Sequence, residues 1–63
     1  MEFEGLQAII VTEDSKNKVL PGGTPVFIAE NEREQQQLAT VFSRVLSAMA
    51  HDLENGVLII VKH

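Results

Sequence analysis

The 63-residue chain has no cysteine, no tryptophan and no tyrosine, and only three phenylalanines. Without cysteine it has neither a disulfide nor a thiolate ligand for a metal. It also has five basic residues against nine acidic ones, giving a net charge of −4. Nucleic-acid binding depends on positive charge and, for single strands, on aromatic stacking. We therefore expect no nucleic-acid partner. The absence of cysteine is also typical of a cytoplasmic protein.

Long apolar runs are missing as well. The longest, residues 57–61, has the sequence VLIIV, far short of the about 18–20 apolar residues that cross a bilayer. The acidic start, MEFE, does not resemble the basic start of a signal peptide. We therefore expect no membrane partner.

The hydrophobic content of 44% and the charged content of 22% are typical of a globular protein. The length predicts a single small domain over residues 1–63. A core of this size supplies only about 3–5 kcal/mol of stability, and small domains compensate with disulfides, metals or association. Since cysteine is absent and two histidines alone do not complete a zinc site, the sequence favours self-association.

The strongest pattern is a series of apolar residues spaced three and four apart, which predicts one face of a helix. Asn31 followed by Glu34 is typical of a helix start with a capping box. The glycine of the pair Asn55-Gly56 is typical of a helix stop. The sequence therefore predicts one long amphipathic helix over residues 31–56. Its apolar face comprises Leu38, Val41, Phe42, Val45, Leu46, Met49 and Leu53.

Two further features of this helix admit two interpretations each. Its first two turns are polar, so they either overhang the sheet in solvent or form an arm that contacts a partner; the arm residues are Glu32, Gln36 and Gln37. A second stripe consists of small residues, which are either tolerated on a half-exposed face or allow a second helix to approach. These residues are Ala39, Ser43, Ser47 and Ala50.

The remaining apolar segments predict strands over residues 6–12, 18–20, 24–29 and 57–62. Residues 13–17 have the composition of a turn and would close a hairpin. The order is thus β-β-(β)-α-β, an α+β fold in which one long helix covers one face of a small mixed sheet of three or four strands. The strands on either side of the helix are expected to run parallel, as in a βαβ unit.

One helix covers only one face of such a sheet, yet the first and last strands are apolar on both faces. Alternate residues would therefore face water in a monomer, and exposed apolar patches mark interfaces. We take the exposed set as Ile9, Val11, Leu58 and Ile60, or the alternate set. This predicts a homodimer or higher oligomer, formed through the open face or a shared strand edge.

No pattern predicts a catalytic, cofactor or metal site. Asp14 and Asn17 lack the ligand spacing of a calcium loop, and Gly22-Gly23 does not open onto a helix as phosphate-binding loops do. His51 lies where a helix-end histidine is common, and it could hold a metal with Asp52 or Glu54 only across two chains.

The sequence therefore predicts a non-enzymatic module that acts through a protein–protein surface. Its partner is itself, and possibly another protein. Two alternatives remain open: a ligand-binding protein or enzyme whose pocket forms only between subunits, and a subunit or inhibitor that adds a strand to a larger complex.

Overall fold

The computed structural model describes residues 5–20 and 22–62. Four strands and one helix follow one another: β1 at Leu6–Thr12, β2 at Val26–Ala29, α1 at Glu32–Val45, β3 at Met49–Asp52 and β4 at Leu58–Val61. A short 3₁₀ turn, Lys16–Lys18, lies between β1 and β2. The predicted α+β class, with one helix on a mixed sheet, is confirmed.

The four strands form one sheet in the order β2-β1-β4-β3. β1 pairs in parallel with β2, with Ile9 beside Val26. β4 pairs in antiparallel fashion with both of its neighbours, so that Ile59 lies beside Ile9 on one side and His51 on the other. β1 and β4 are thus the central strands, and they belong to the segments whose composition predicts cover on both faces.

The expected hairpin after β1 and the expected strand over residues 18–20 are wrong. Instead of reversing, the chain makes the 3₁₀ turn and crosses to start β2 parallel to β1. Ser15 is buried in this turn, and its hydroxyl donates to the Gly56 carbonyl at 2.6 Å. Lys18 Nζ donates to the Asn55 carbonyl at 2.5 Å. The turn is therefore tied to a distant loop, which local turn composition does not reveal.

The helix starts as the sequence predicts and ends earlier. Asn31 is the N-cap, and its Oδ1 accepts a hydrogen bond from the Glu34 amide at 2.9 Å. The Glu34 carboxylate reaches back to the amide of Glu30, one residue before the position expected in a capping box. The helix stops at Val45, and Ser47 takes a left-handed conformation with φ of 51°. The predicted extension of the helix to residue 56 is therefore wrong.

Residues 49–61 form a β-hairpin where a helix end was expected. β3 and β4 are joined by a tight turn closed by a 3.0 Å bond from the Leu53 amide to the Val57 carbonyl. Glu54 and Gly56 both have positive φ, 62° and 90°. An Asn-Gly pair is typical of a hairpin turn as well as of a helix stop. Here it forms the hairpin turn, because β3 gains backbone hydrogen-bond partners on β4.

The predicted parallel arrangement of the strands on either side of the helix is wrong for β2 and β4. β2 is parallel to β1, and β1 is antiparallel to β4, so β2 and β4 run in opposite directions. β3 directly follows the helix and runs in the same direction as β2, because it too is antiparallel to β4. The helix thus links two like-directed strands at opposite edges of the sheet.

The core lies between the helix and the two central strands. Ala8, Ile10, Leu58 and Ile60 are buried and pack with Ala39 of the helix. Leu38, Phe42, Leu46 and Ala48 are half-buried around them. These nine positions make α1 an amphipathic lid on one face of the sheet, as the periodicity predicts.

The first two turns of the helix do not overhang the sheet as an entirely solvated end. Gln35 is 3% exposed, and its Nε2 donates to the carbonyls of Ile10 at 2.8 Å and Gly56 at 2.9 Å. The helix start is therefore fastened over β1 and the β3–β4 turn by one buried amide. A polar residue in this position is stable because its donor atoms find carbonyl partners.

Candidate protein-interaction surface

The register of the sheet divides its side chains between two faces. Phe27 of β2 contacts Phe42 of the helix, with ring centroids 4.8 Å apart, so Phe27 marks the helix-covered face. Since side chains alternate along a strand, Val26 and Ile28 lie on the other face. This second face, termed the open face, also carries their neighbours Ile9 and Val11 of β1, and Ile59 of β4.

The open face contains an apolar depression of about 300 Å³. Its lining is entirely aliphatic: Leu6, Ile9, Val19, Leu53, Val57 and Ile59. Val19 and Leu53 come from the segments that follow the 3₁₀ turn and β3, so loop residues complete a site centred on the two middle strands. Leu53 is 49% exposed. An exposed concave surface of this composition is typical of a binding site for an apolar group.

The residues that the sequence suggested for the open face divide between both faces. Ile9 is half-buried on the open face, and Val11 lies there but is fully buried. Leu58 and Ile60 face the helix and form part of the core, since Ile10 pairs with Leu58 and Ala8 with Ile60. Assigning Leu58 and Ile60 to the same face as Ile9 and Val11 was wrong because the antiparallel register places Ile59 beside Ile9.

The small-residue stripe is not a continuous feature of one helix. Ala39 and Ser43 are in α1, whereas Ser47 is in the turn after it and Ala50 is in β3. Ala39 is buried in the core. Ala39, Ser43 and Ala50 nevertheless line one cavity of about 280 Å³ between the helix and β3, together with Gln36. The four small residues therefore do not form a stripe on one helix along which a second helix could pack.

The three residues of the suggested contact arm, Glu32, Gln36 and Gln37, are exposed. Gln36 borders the helix–β3 cavity, and Glu32 borders a separate acidic one that includes Asp52 and Glu54. Their role in contacting a partner stays a prediction. Gln35, which sequence reasoning did not single out, is the buried residue of this segment, and its side chain bonds to β1.

The polar end of the sheet holds a second and larger cavity, of about 520 Å³, between the 3₁₀ turn and the helix start. Thr12 and Ser15 are buried beside it, and the Ser15 hydroxyl accepts from the Thr12 amide at 2.9 Å. Within the described residues, every buried side-chain nitrogen or oxygen has a partner. The network therefore stabilises two loops, and it presents no unpaired buried group to a ligand.

Charged side chains near this end are exposed. The Glu13 carboxylate accepts a 2.8 Å hydrogen bond from Lys16 and raises the pKa of that lysine, chiefly through the hydrogen bond and then through its negative charge. Over residues 5–20 and 22–62, no group of three or more histidine or acidic side chains is arranged to hold a metal ion. In the same part of the chain, no helix is long and apolar enough to span a membrane.

Comparison with known proteins gives a family. A curated relative, the uncharacterised protein YpzH of Bacillus subtilis strain 168, is 34% identical over 62 residues, which cover 95% of each chain. No solved structure matches the chain. The family model described as "Capping complex subunit for YIEGIA" matches residues 5–63. The chain therefore belongs to the family of capping complex subunits for YIEGIA.

Proposed function

We propose that the protein is a non-enzymatic subunit that caps a YIEGIA protein by receiving an apolar segment of it on the open face. The observation that carries this proposal is the aliphatic depression formed by Leu6, Ile9, Val19, Leu53, Val57 and Ile59. The family description supplies the partner, and it supports a role in a protein complex.

The chemistry of the depression favours a hydrocarbon group as its occupant. Its lining has no polar side chain, so it offers contact area and no directed hydrogen bond. Burying a Leu, Ile, Val or Phe side chain contributes about 1.5–3 kcal/mol. A single anchor residue, or the apolar side of a helix laid across β1 and β4, is the partner element that such a surface suits best.

The same lining argues against a catalytic role for this surface. General acid–base and nucleophilic catalysis require an ionisable or nucleophilic side chain within reach of the substrate. All six side chains around the depression are hydrocarbons. Binding, rather than bond making, is what this site supports.

Two finer expectations accompany the proposal. The cysteine-free composition favours a reducing compartment, so we place the complex in the cytoplasm. Self-association of the subunit is retained as a prediction, since the chain is small and has several exposed apolar side chains.

The test is co-purification of the full chain with a YIEGIA-family protein from the same organism, followed by titration to obtain Kd. Leu53→Asp puts a charge into the depression and is expected to weaken binding at least tenfold, because an unpaired carboxylate against apolar surface is strongly unfavourable. Leu53 is half exposed, so the variant should fold, which circular dichroism checks.

Val41→Asp is the matched control. Val41 is 52% exposed, close to the 49% of Leu53, but it lies on the helix, on the other side of the sheet. Binding should survive in this variant. Equal affinity of wild type and Leu53→Asp for the YIEGIA protein would refute the assignment of the open face, and no binding by the wild type would refute the proposed partner.

A further inference from the structure

The outer edge of β2 is open for pairing. β2 is the first strand of the sheet order, so within residues 5–20 and 22–62 one side of it has no neighbouring strand. The Ile9 amide donates to the Pro25 carbonyl at 3.0 Å, while Ile9 is paired with Val26. In a parallel ladder a residue bonds to the residues on either side of its partner. Pro25 and Phe27 therefore direct backbone groups toward β1, whereas Val26 and Ile28 direct theirs outward.

This edge lacks the charged side chains that usually protect an edge strand. The strand sequence VFIA has no charged residue, and Val26, Phe27 and Ile28 are 37%, 39% and 50% exposed. Protected edges normally carry a charged residue such as lysine, or a proline, within the strand. The opposite edge strand, β3, includes Asp52. β2 is thus the edge that is better suited to accept another strand.

The helix extends the apolar surface beside β2. Phe42 points toward Phe27, and Ser43 borders the cavity on the β3 side. At about 100° per residue, Val41 and Val45 lie on the flank opposite Ser43, which is the flank beside β2. They are 52% and 73% exposed, although valine is not a typical solvent-facing helix residue.

We infer that two copies of this chain associate by pairing β2 with β2 in antiparallel fashion, with the two-fold axis passing beside Phe27. Val26 and Ile28 then exchange backbone hydrogen bonds with the Ile28 and Val26 of the second copy, because these are the residues whose backbone groups point outward. The product is a continuous eight-stranded sheet with both helices on the same face.

Symmetry also accounts for the exposed valines. Val41 and Val45 lie within one helical turn of Phe42, and so at about the level of Phe27 and the axis. In two helices related by this axis, Val41 and Val45 of each copy would face the axis from either side of the Phe27 pair. A surface that is complementary to itself is what a two-fold dimer requires.

The exposed apolar side chains supply most of the area that such an interface needs. If a fully exposed apolar side chain offers about 150–200 Å², then Val26, Phe27, Ile28, Val41 and Val45 together expose roughly 400 Å² per chain. The pairing strand backbone adds to this, and a specific interface needs about 1,000 Å² over both partners. No charged side chain occurs between residues 24 and 29, so two chains of net charge −4 can meet here without placing like charges in contact.

The first test is the mass of the full chain by analytical ultracentrifugation over a concentration series. The wild type should approach about 14 kDa, twice the 7.0 kDa chain. Val45→Lys should weaken dimerisation at least tenfold while the helical circular dichroism is retained. The control Thr40→Lys introduces the same lysine side chain at an exposed position on the other flank, and it should remain a dimer.

A monomeric wild type, or a Val45→Lys variant that dimerises as tightly as the wild type, would overturn the inference. Dissociation by Leu53→Lys but not by Val45→Lys would place the contact on the open face instead, and it would overturn the inference equally.

The second test is site-specific cross-linking, which the absence of native cysteine makes clean. In the proposed register, Phe27 faces its own copy as a non-hydrogen-bonded pair with Cα atoms about 4.5 Å apart, within the range that a disulfide can bridge. Phe27→Cys should therefore form a covalent dimer on mild oxidation. Met49→Cys, on the opposite edge strand, is the control. Equal rates of cross-linking for the two variants would contradict the β2 edge.

This inference does not rest on the proposed function. A dimer formed through β2 leaves the depression between β1 and β4 uncovered. Val45→Lys should lose dimerisation and keep binding to the YIEGIA protein, whereas Leu53→Asp should lose that binding and keep the dimer. The two assignments can thus fail separately.

Discussion

The buried amide of Gln35 should contribute a large share of the stability of this small protein. Gln35→Ala removes the two hydrogen bonds to the Ile10 and Gly56 carbonyls, each about 0.5–1.5 kcal/mol. It also removes a buried methylene, about 0.8 kcal/mol. The Gly56 carbonyl keeps its 2.6 Å bond from Ser15, which limits the loss there. The free energy of unfolding should fall by about 2–4 kcal/mol.

This change is measurable by urea and thermal unfolding followed by circular dichroism. For a domain of this size, 1 kcal/mol shifts Tm by about 4–8 °C, so a fall of at least about 8 °C is expected. Gln36→Ala is the matched control, since Gln36 is adjacent and exposed, and both substitutions raise helix propensity equally. All variants must be compared at one protein concentration, because association also raises Tm. If the two variants unfold within about 0.5 kcal/mol of each other, Gln35 does not fasten the helix start as described.

Two further predictions concern local backbone geometry. Gly56→Ala should lower the free energy of unfolding more than Gly23→Ala. Both glycines have φ near 90°, but a Cβ at Gly56 would lie 2.9 Å from the Ser15 Cβ, whereas one at Gly23 would meet nothing within 4 Å. Gly22→Ala is the control, since Gly22 has neither a positive φ nor a close neighbour. Equal losses of unfolding free energy for all three variants in urea titrations would contradict this ranking. Asn31→Ala should cost about 1 kcal/mol in the same assay because the Glu34 amide loses its capping oxygen, and Asn31→Ser should restore most of it; a Ser variant no more stable than the Ala variant would argue against the cap.

The parts of the fold that depend on local signals could be predicted from the sequence. The bounds of β1 and the N-cap at Asn31 agree with the expectation. A strand apolar on both faces and an Asn side chain before a polar first turn act through residues only a few positions away.

The end of the helix could not be predicted in the same way. Met49 and Leu53 continue the helical spacing by coincidence, and Asn55-Gly56 is compatible both with a helix stop and with a hairpin turn. The choice is made by pairing with β4, where Met49 meets Val61 and Asp52 meets Leu58. Such pairing is a tertiary effect that overrides local periodicity.

The sequence predicts an exposed apolar face on the side of the sheet that the helix does not cover. It identifies only some of the residues of the candidate surface. Ile9 was assigned to it, whereas Leu58 and Ile60 belong to the core and Leu53 was assigned to the helix. The face of each β4 residue depends on its register with β1, and a shift of one residue exchanges the two faces. Gln35 gave no signal at all, because its carbonyl partners lie 25 and 21 residues away.

The place of β4 in the sheet determines when the chain can fold during synthesis. β4 is made after the other three strands of this sheet, yet it lies between β1 and β3, and its pairing of Leu6 with Val61 joins residues 55 positions apart. A nascent chain that lacks residues 57–61 has β1, β2 and α1 but no strand to bridge β1 to β3. Closing so long a loop has an entropic cost, which is offset only when the pairing of β1 with β4 is complete. Folding should therefore wait until translation of this segment is finished, and premature termination within it should leave an apolar, protease-sensitive product rather than a shortened native protein.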